Sequence, residues 1–589
     1  MSYTAPIRDI GFVLHEVLNV SAHLQGDELD AGTIDQVLDA AATFASEVIA
    51  PLNAVGDREG CTMPAPGVVK TPTGFKAAYD QYLEGGWTAL ACEPDHGGQG
   101  MPSVLAFALG EIFGGANMAW SAYPGMSHAA YICLAANGSD EQRSLYCPQI
   151  ASGQWAGTMC LTEPHCGTDL GMLRTRAVPQ ADGIYAVTGT KIFISGGEQD
   201  LTENIIHLVL ARLPDAPPGV KGISLFIVPK FLPTPGPGLG ARNGVTCGSV
   251  EHKMGIHGNA TCTMNFDGAA GWLLGKPNNG LAAMFVMMNH ARLGVGITSV
   301  GLMEAGYQKA LAYAKDRLQG RAPSGGTRDA PADPIVAHPD VRRMLLTQKA
   351  YVEGARAFAL WASHLMDVQH GSTDATVRKQ TAAILALATP VVKSFSSDLA
   401  VECTSLAMQV YGGHGYICEN LVEQHLRDAR IIPLYEGSNG IQAMDLLGRK
   451  VVMDGAAGLS TYLDMISEFA DAQAGIDGME LFTKPLTDAV ALTKRVAREL
   501  SGLAAHNADE VGSAAAPFLR MVGHVSLAWM WARMAAVGLA HKGSSDVIYA
   551  SKLATARFYY QRLLPEIHAL SIAISAGASC IMEPKVEWL

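Results

Sequence analysis

Two kinds of sequence pattern meet at the stretch 160–169, which reads Cys160-Leu161-Thr162-Glu163-Pro164-His165-Cys166-Gly167-Thr168-Asp169. Upstream of it, apolar residues recur at helical spacing between Ile34 and Val48, in a helix that we expect to end at Pro51. Downstream of it, short apolar runs at 205–210 and 223–228 are separated by proline and glycine clusters at 214–222 and 232–240, a pattern typical of strands. The sequence therefore predicts a helical region followed by a small β domain.

A helical pattern returns near residue 280. One face of a long helix is indicated by apolar residues spaced three or four apart, namely Val300, Met303, Tyr307, Leu311 and Ala314. A loop rich in proline, glycine and serine follows at 319–334, and helical patterns then fill 339–412 and the chain beyond the turn at 437–440. The fold class predicted by this order is α+β and mainly helical. We predict an N-terminal helical domain at 1–155, a middle β domain at 156–275, a second helical domain at 276–454 and an extra C-terminal helical domain at 455–589.

Composition excludes several classes of protein. The chain has 589 residues, of which 49% are apolar and 16% charged, so disorder cannot be its main state. Its formal charge of −13, and the 11 basic against 14 acidic residues at 451–589, argue against a nucleic-acid partner. We expect no secretory signal, because acidic residues interrupt the opening segment, and the apolar runs fall short of the roughly 18–20 residues that a membrane helix needs. We therefore expect a soluble, cytoplasmic protein with no membrane partner.

The cysteines and three short stretches are the remaining candidates for chemistry. The eleven cysteines are widely spaced and indicate reduced core thiols rather than a metal site. Stretch 160–169 offers hydroxyls and a glycine that lets a ligand approach the backbone, although a plain strand-to-turn junction has the same composition. In the second stretch, 191–197, Phe193 and Ser195 could hold a flat ring, or could belong to an ordinary strand and hairpin.

The third stretch, 426–440, contains a candidate general base. Glu436 lies between an apolar pair, Leu434-Tyr435, and Gly437. A carboxyl group in an apolar pocket has a raised pKa and abstracts protons best near neutral pH. A solvated loop acid is the alternative for a lone glutamate.

The order of these motifs resembles the acyl-CoA dehydrogenase family, a group of FAD enzymes, over about residues 35–450. The shared patterns are L-T-E-P-x-x-G-T-D, K-x-F-I-S-G-G, Q-x-Y-G-G-x-G-Y and L-R-D-A-R…Y-E-G-S, in the order in which the family carries them. The resemblance implies the family's fold, in which a helical domain, a β domain and a four-helix domain follow one another. In this chain, an additional helical bundle would follow them.

The resemblance also implies roles for individual residues. Glu436 matches the base that removes the α-proton of an acyl thioester, while a hydride leaves the β-carbon for the flavin to give a trans-2-enoyl-CoA. Ala291 stands where some relatives carry the base, so Glu436 is the sole candidate. Asn289 and Arg292 lie where the pantetheine arm of the substrate passes, and no metal is implied. The matched FAD positions are Leu161, Thr162, Gly167, Thr168, Phe193, Ser195, Arg317, Gln409, Gly413 and Ser438, of which Arg317, Gln409 and Gly413 would reach the FAD of a neighbouring subunit.

The substrate and partners are also implied by the resemblance. The opening segment from Tyr3, the loop after Arg321 and the extra C-terminal bundle resemble a larger subgroup, some of whose members desaturate 3-(methylthio)propionyl-CoA in dimethylsulfoniopropionate breakdown. Another straight-chain, branched or aryl-propionyl thioester remains an alternative. Electron-transfer flavoprotein is the expected acceptor, with oxygen as the alternative, and a nucleic-acid-associated flavoprotein of the same fold is a further alternative. We expect a homodimer, since the extra domain should cover the surface through which smaller relatives form tetramers.

Overall fold

The computed structural model describes residues 3–22, 30–234, 238–323 and 331–589. Parts of the loops predicted at 232–240 and 319–334 therefore lie outside the described residues. The N-terminal part is helical apart from one short hairpin of strands β1 (Thr62–Ala65) and β2 (Val68–Lys70). Its helices are α1 (Ile7–Gly11), α2 (Ala31–Phe44), α3 (Pro51–Glu59), α4 (Phe75–Glu84), α5 (Ser103–Ala116), α6 (Met118–Asn137) and α7 (Asp140–Ala151).

The helix predicted around residues 34–48 forms, but its expected end at Pro51 is wrong. Asp30 caps α2 by accepting a hydrogen bond from the backbone N–H of Thr33 at 2.7 Å. A π-helical turn at Ala45–Ile49 then carries the chain directly into α3. Pro51 occupies the first turn of α3, where a backbone N–H has no intrahelical partner and a proline is well tolerated.

The middle part is a mixed seven-stranded sheet. Strand β3 (Trp155–Cys160) runs parallel to β6 (Asn204–Arg212), whereas β5 (Ile184–Ser195) and β11 (Thr261–Leu274) form a long antiparallel pair. The apolar runs predicted as strands form β6 and β7 (Ile223–Pro229), in which every residue except Arg212 is buried, so that side chains on both faces of the sheet are covered. The remaining strands of this sheet are β4 (Arg176–Pro179) and β10 (Val245–Val250), and β8 (Phe231–Pro233) and β9 (Leu239–Arg242) form a separate hairpin.

Three long helices form the centre of the next part. They are α8 (Gly280–Asp316), α9 (Pro339–Gly371) and α10 (Ala375–Tyr411), followed by the short helices α11 (Glu423–Ala429) and α12 (Asn439–Met444). Of these, α8 and the 375–416 segment are long and apolar enough to cross a membrane by length and composition, in contrast to the sequence prediction. More than half of each apolar window is buried within the protein, as in core helices of a helical bundle.

The last part is an appended bundle of six helices among the described residues. They are α13 (Ala457–Gln473), α14 (Glu480–Ala504), α15 (Asp509–Ala540), α16 (Val547–Phe558), α17 (Glu566–Ser575) and α18 (Ser579–Met582). The indole N–H of Trp531 in α15 donates to the carbonyl oxygen of Ala350 in α9 at 3.1 Å. The bundle is therefore packed against the long central helices.

A buried ionic network joins the N-terminal segment, the central helices and the appended bundle. The guanidinium of Arg356 is fully buried and donates to three carboxylates at 2.6–3.0 Å, those of Glu111, Glu304 and Asp9. Lys552 of α16 is also buried and donates to Asp9 at 2.5 Å and to Glu353 at 2.9 Å. Moving the bundle away from the central helices would separate these buried charges, which is energetically costly. The contacts therefore hold the bundle in one position against α9 and the N-terminal segment.

Candidate active site

A cavity of about 220 Å³ lies between α5, α6 and α8 and is bordered by the loop that precedes α12. Aromatic and aliphatic side chains supply most of its wall, among them Tyr82, Trp87, Phe107, Phe113, Ile297 and Tyr435. Two of the predicted site residues, Ser195 from β5 and Glu436 from the loop, line the same cavity. A concave, mainly apolar site with a few polar groups is the usual form of a small-molecule binding site.

Glu436 has the properties expected of a buried base. Burial raises the pKa of Glu436 to about 7, while the charges of Arg292 and Lys393 act in the opposite direction. The backbone of Glu436 is left-handed, with φ of 55°, and that of Gly437 follows at 83°. A left-handed non-glycine residue is uncommon and concentrates at functional sites, because its strain must be held by the surrounding structure.

Lys393 holds the loop that carries Glu436. Its ammonium group donates to the carbonyl oxygen of Ile432 at 3.0 Å and to Oδ1 of Asn439 at 2.8 Å, one contact on each side of Glu436. The amide of Asn439 in turn donates to Asp398 at 2.7 Å. Burial lowers the pKa of Lys393 to about 8, although Glu436 favours its charged form. These bonds determine the position of the strained turn.

Arg292 and Asn289, the predicted substrate contacts, lie beside this loop on α8. The guanidinium Nε of Arg292 donates to the carbonyl oxygen of Glu436 at 3.4 Å, and its Nη1 donates to Oδ1 of Asn289 at 3.2 Å. Arg292 is buried, whereas Asn289 is exposed. The structure thus brings Arg292 to the base and Asn289 to Arg292, and their role in binding substrate stays a prediction.

A buried ion pair joins the two motifs predicted to bind the flavin. Lys191 on β5 is buried and donates to Oε1 of Glu163 and to the carbonyl oxygen of Leu161, both at 2.9 Å. The backbone N–H of Ile192 also donates to the carbonyl oxygen of Thr162 at 2.9 Å. Stretch 160–169 is therefore held against β5.

The same Glu163 belongs to a group that could hold a metal. Ligand atoms of Glu163, His165 and Cys166 lie within 4.8 Å of one another. The carboxylate of Glu163 already accepts from Lys191, from the hydroxyl of Thr175 and from the backbone N–H of Arg174. We therefore interpret Glu163 as a structural residue.

The residues around this ion pair fit a flat ring and its phosphates. Phe193 is 59% exposed, has φ of 60° and lies where the pairing of β5 with β11 is irregular, so the backbone turns this aromatic ring outward. Gly167 and Thr168 are exposed, and their backbone N–H groups make no hydrogen bond within the described residues. Free amides, a hydroxyl from Thr162 or Ser195 and an exposed aromatic ring are the groups that a flavin would need.

Three of the predicted FAD contacts lie far from the cavity. Arg317 follows the end of α8, and Gln409 and Gly413 lie at the end of α10, where stacking of Tyr313 on Tyr411 at 4.1 Å joins the two helix ends. At about 1.5 Å per residue, roughly 35 Å of helix separates this end of α8 from Arg292. These three residues therefore lie remote from Ser195 and Glu436, and their contact with FAD stays a prediction, whereas Ser438 lies in the Glu436 loop, two residues after the predicted base.

One wall of the cavity is polar and was not predicted from the sequence. His128 of α6 and His290 of α8 line it with their ring centres 5.2 Å apart, and Cys92 and Tyr131 lie beside them. These four residues come from three segments that are distant in the sequence and form no motif. Only the tertiary packing of α6 on α8 brings them together.

Comparison with known protein families identifies the chain. The N-terminal, middle and C-terminal domain models of acyl-CoA dehydrogenase match residues 33–154, 158–269 and 278–451. The chain belongs to the acyl-CoA dehydrogenase family. A further model, described as acetyl-CoA dehydrogenase C-terminal like, matches residues 462–585. The predicted fold, with its additional C-terminal helical domain, is confirmed.

Two relatives match this acyl-CoA dehydrogenase over nearly the whole chain. The 3-methylmercaptopropionyl-CoA dehydrogenase of Ruegeria pomeroyi is 41% identical over 577 residues, which cover 97% of each chain. The broad-specificity linear acyl-CoA dehydrogenase FadE5 of Mycobacterium tuberculosis is 38% identical and covers 99% of this chain and 98% of its own. The protein is therefore an oxidoreductase, as predicted.

Solved structures of low sequence identity share the fold of this acyl-CoA dehydrogenase. ACDH-11 of Caenorhabditis elegans in complex with C11-CoA has a TM-score of 0.80 at 17% identity and covers 99% of this chain and 96% of its own. An acyl-CoA dehydrogenase of Bacillus anthracis complexed with FAD has a TM-score of 0.75 at 20% identity and covers 94% and 90%. With the family assignment, this makes the protein a flavoprotein whose cofactor is FAD, as predicted.

Proposed function

We propose that this acyl-CoA dehydrogenase converts 3-(methylthio)propionyl-CoA to its trans-2-enoyl-CoA, with Glu436 as the base. The observation that carries the proposal is the Glu436 carboxyl group, whose pKa burial raises to about 7 in the wall of an apolar cavity. A base with this pKa is about half ionised at neutral pH and keeps high affinity for the proton that it takes.

Different groups of the protein take part in the proton transfer and in binding of the thioester oxygen. Glu436 takes the proton from the α-carbon of the thioester, and a hydride departs from the β-carbon. When bound, FAD supplies the acceptor for that hydride. The backbone N–H of Glu436 makes no hydrogen bond within the described residues, so it is free to donate to the thioester oxygen and to stabilise the negative charge that develops there.

The proposed pocket excludes water from this proton transfer. Tyr435 and Ala291 line the cavity beside Glu436, and an apolar wall strengthens electrostatic interactions with the bound thioester. Residues that would hold the FAD are Thr162, Gly167, Thr168, Phe193 and Ser195, which fit it by exposure and free donors. Arg292 and Asn289 would contact the pantetheine arm, since they lie next to Glu436 on the same side of α8.

The proposed acyl group is short. A relative that is 41% identical bears the name 3-methylmercaptopropionyl-CoA dehydrogenase, which supports a methylthio chain. The aromatic cavity wall and the relative named as a linear acyl-CoA dehydrogenase favour a second candidate, a straight-chain acyl-CoA. A role in dimethylsulfoniopropionate degradation in the cytoplasm is part of the first proposal.

We also propose a homodimer that passes its electrons to an electron-transfer flavoprotein. Exposed apolar side chains, Leu318, Tyr416 and Ile417, surround the remote positions Arg317, Gln409 and Gly413. A second copy that covers this end of α8 and α10 would bring those three residues to its own FAD. Sedimentation of a tetramer or monomer would contradict the homodimer.

The proposed reaction is tested by product analysis with the FAD-loaded protein. We expect the enzyme, supplied with electron-transfer flavoprotein, to convert 3-(methylthio)propionyl-CoA to a product lighter by two hydrogens, as measured by mass spectrometry. Turnover of straight-chain thioesters alone would discard the methylthio substrate but keep the base. Absence of product from any acyl-CoA would contradict the proposed function.

A further inference from the structure

The polar wall of the cavity is made of uncharged groups. Burial lowers the pKa of His128 to about 4 and that of His290 to about 3, so both imidazoles are neutral at neutral pH. Burial also raises the pKa of the Cys92 thiol to about 12. A neutral imidazole has one hydrogen-bond donor and one acceptor.

Most polar atoms near this wall already have partners. The hydroxyl of Tyr131 accepts from the backbone N–H of Glu93 at 2.8 Å and contacts Nδ1 of His96 at 2.9 Å. The Cys92 thiol donates to the carbonyl oxygen of Thr88 at 3.5 Å, and its sulfur lies 3.7 Å from Nδ1 of His128.

Nδ1 of His290 has no such partner. This atom is buried, and Nε2 of the same ring makes no hydrogen bond to any residue that the structure describes. The ring nevertheless lines the cavity, between Phe107 at 4.8 Å and His128 at 5.2 Å.

An unpaired polar group in an apolar cavity has a free-energy cost. Leaving a buried donor or acceptor without a partner costs about 1–3 kcal/mol, and an apolar side chain of similar size would avoid that cost. A hydrocarbon chain in the cavity would leave the His290 imidazole without a hydrogen-bond partner. A chain with a lone pair close to the ring could accept a hydrogen bond from its N–H. The arrangement therefore favours a ligand with a heteroatom.

We propose that His290, supported by His128, donates a hydrogen bond to a heteroatom of the acyl chain, so that the enzyme selects a thioether over a hydrocarbon chain of equal length. This inference rests on the proposed function, because the acyl chain must enter the same cavity as Glu436. The wall carries no positive charge, so a neutral sulfur suits it better than a carboxylate.

Two thioesters that differ by one atom test this selection. In 3-(methylthio)propionyl-CoA a sulfur replaces one methylene group of pentanoyl-CoA, and the two chains have the same length. We expect the FAD-loaded wild-type enzyme to have the higher kcat/KM for the thioether. His290→Leu should lower the ratio of the two kcat/KM values by roughly two- to fivefold, because a thioether sulfur is a weak hydrogen-bond acceptor.

Matched variants separate hydrogen bonding from cavity shape. His290→Gln keeps a neutral donor and acceptor and should retain most of the wild-type ratio, whereas His128→Leu should lower it in part. Met126→Leu, a nearly volume-conserving change in the same cavity, should leave the ratio unchanged. FAD content and the thermal midpoint show that each variant is folded.

The binding affinities of the two thioesters test the same selection without turnover. In the Glu436→Gln background, calorimetry should show tighter binding of the thioether, and His290→Leu should remove the difference. The inference would be overturned if the wild-type enzyme bound and turned over the two thioesters equally well. It would also be overturned if every histidine variant kept the wild-type ratio of kcat/KM values. Either result would leave the proposed function intact. Failure of both thioesters to reduce the flavin would instead contradict the proposed function.

Discussion

Lowering the pH from about 8 to about 6 should slow reduction of the flavin by a thioester roughly tenfold, because Glu436 becomes protonated. A carboxyl group with a pKa of about 7 is about nine-tenths ionised at the higher pH and about one-tenth ionised at the lower one. A glutamate with the ordinary pKa of 4.5 would be almost fully ionised at both, and the rate would not change. The proton acceptor is active only when ionised, so activity falls as the pH falls through 7.

The assay is anaerobic mixing of the FAD-loaded enzyme with subsaturating 3-(methylthio)propionyl-CoA while the visible flavin band is followed. Under these conditions the second-order rate constant reports the pKa of the free enzyme. A control is Glu402→Gln, which removes another carboxyl group with a raised pKa that does not line the cavity. This variant should keep the wild-type profile. A rate that stays constant between the two pH values would refute the assignment of the base.

Lys393 provides a second test of the same reasoning. Its charge lowers the pKa of Glu436, and its ammonium group also donates to Ile432 and Asn439. Lys393→Gln removes the charge but keeps a donor, so the midpoint of the pH profile should move upward by about half to one pH unit. A downward shift would contradict the electrostatic argument.

Three further outcomes concern stability and cofactor binding. Burial raises the pKa of Glu436 from 4.5 to about 7, so ionisation of this group begins to destabilise the fold above pH 4.5 and has its full effect above pH 7. Glu436→Gln should therefore raise the thermal midpoint at pH 8 but not at pH 4. Lys552→Met should destabilise the protein by about 1.5–3 kcal/mol, since Asp9 then keeps only Arg356 and Glu353 only Lys349 as cationic partners. A scan in which it melts like the wild type would count against the ionic network. Lys191→Met should lower the FAD content of the purified protein, because Glu163 loses the contact that holds stretch 160–169 against β5, and full FAD occupancy would contradict that role.

The long helices and the buried strands could be predicted from the sequence, because each is defined by the spacing of apolar residues within one segment. The spacing from Val300 to Ala314 lies within α8, and the two-sided apolar runs lie within β6 and β7. The position of Glu436 between an apolar pair and a glycine left both a buried base and a solvated loop acid open, and burial in the structure raises its pKa to about 7. The apolar patterns, in contrast, are each contained in a short segment.

Features that depend on distant segments could not be read in this way. The wall formed by His128 and His290 joins residues more than 160 positions apart, and the Lys552–Asp9 contact joins residues 543 positions apart. Pro51 was misread for a different reason, since a proline stops a helix from within but is well suited to the first turn of the next one. The short strands β1 and β2 pair only with each other and carry no apolar alternation.

The most direct test of Glu436 as the base is an anaerobic titration of the FAD-loaded protein and of Glu436→Gln with 3-(methylthio)propionyl-CoA. We expect the visible flavin band of the wild-type protein to bleach within the turnover time. The variant should bind both FAD and the thioester but reduce its flavin at least a hundredfold more slowly, the lower bound for loss of a general base at about 10²–10⁴. A variant that bleaches at the wild-type rate would show that another group takes the α-proton.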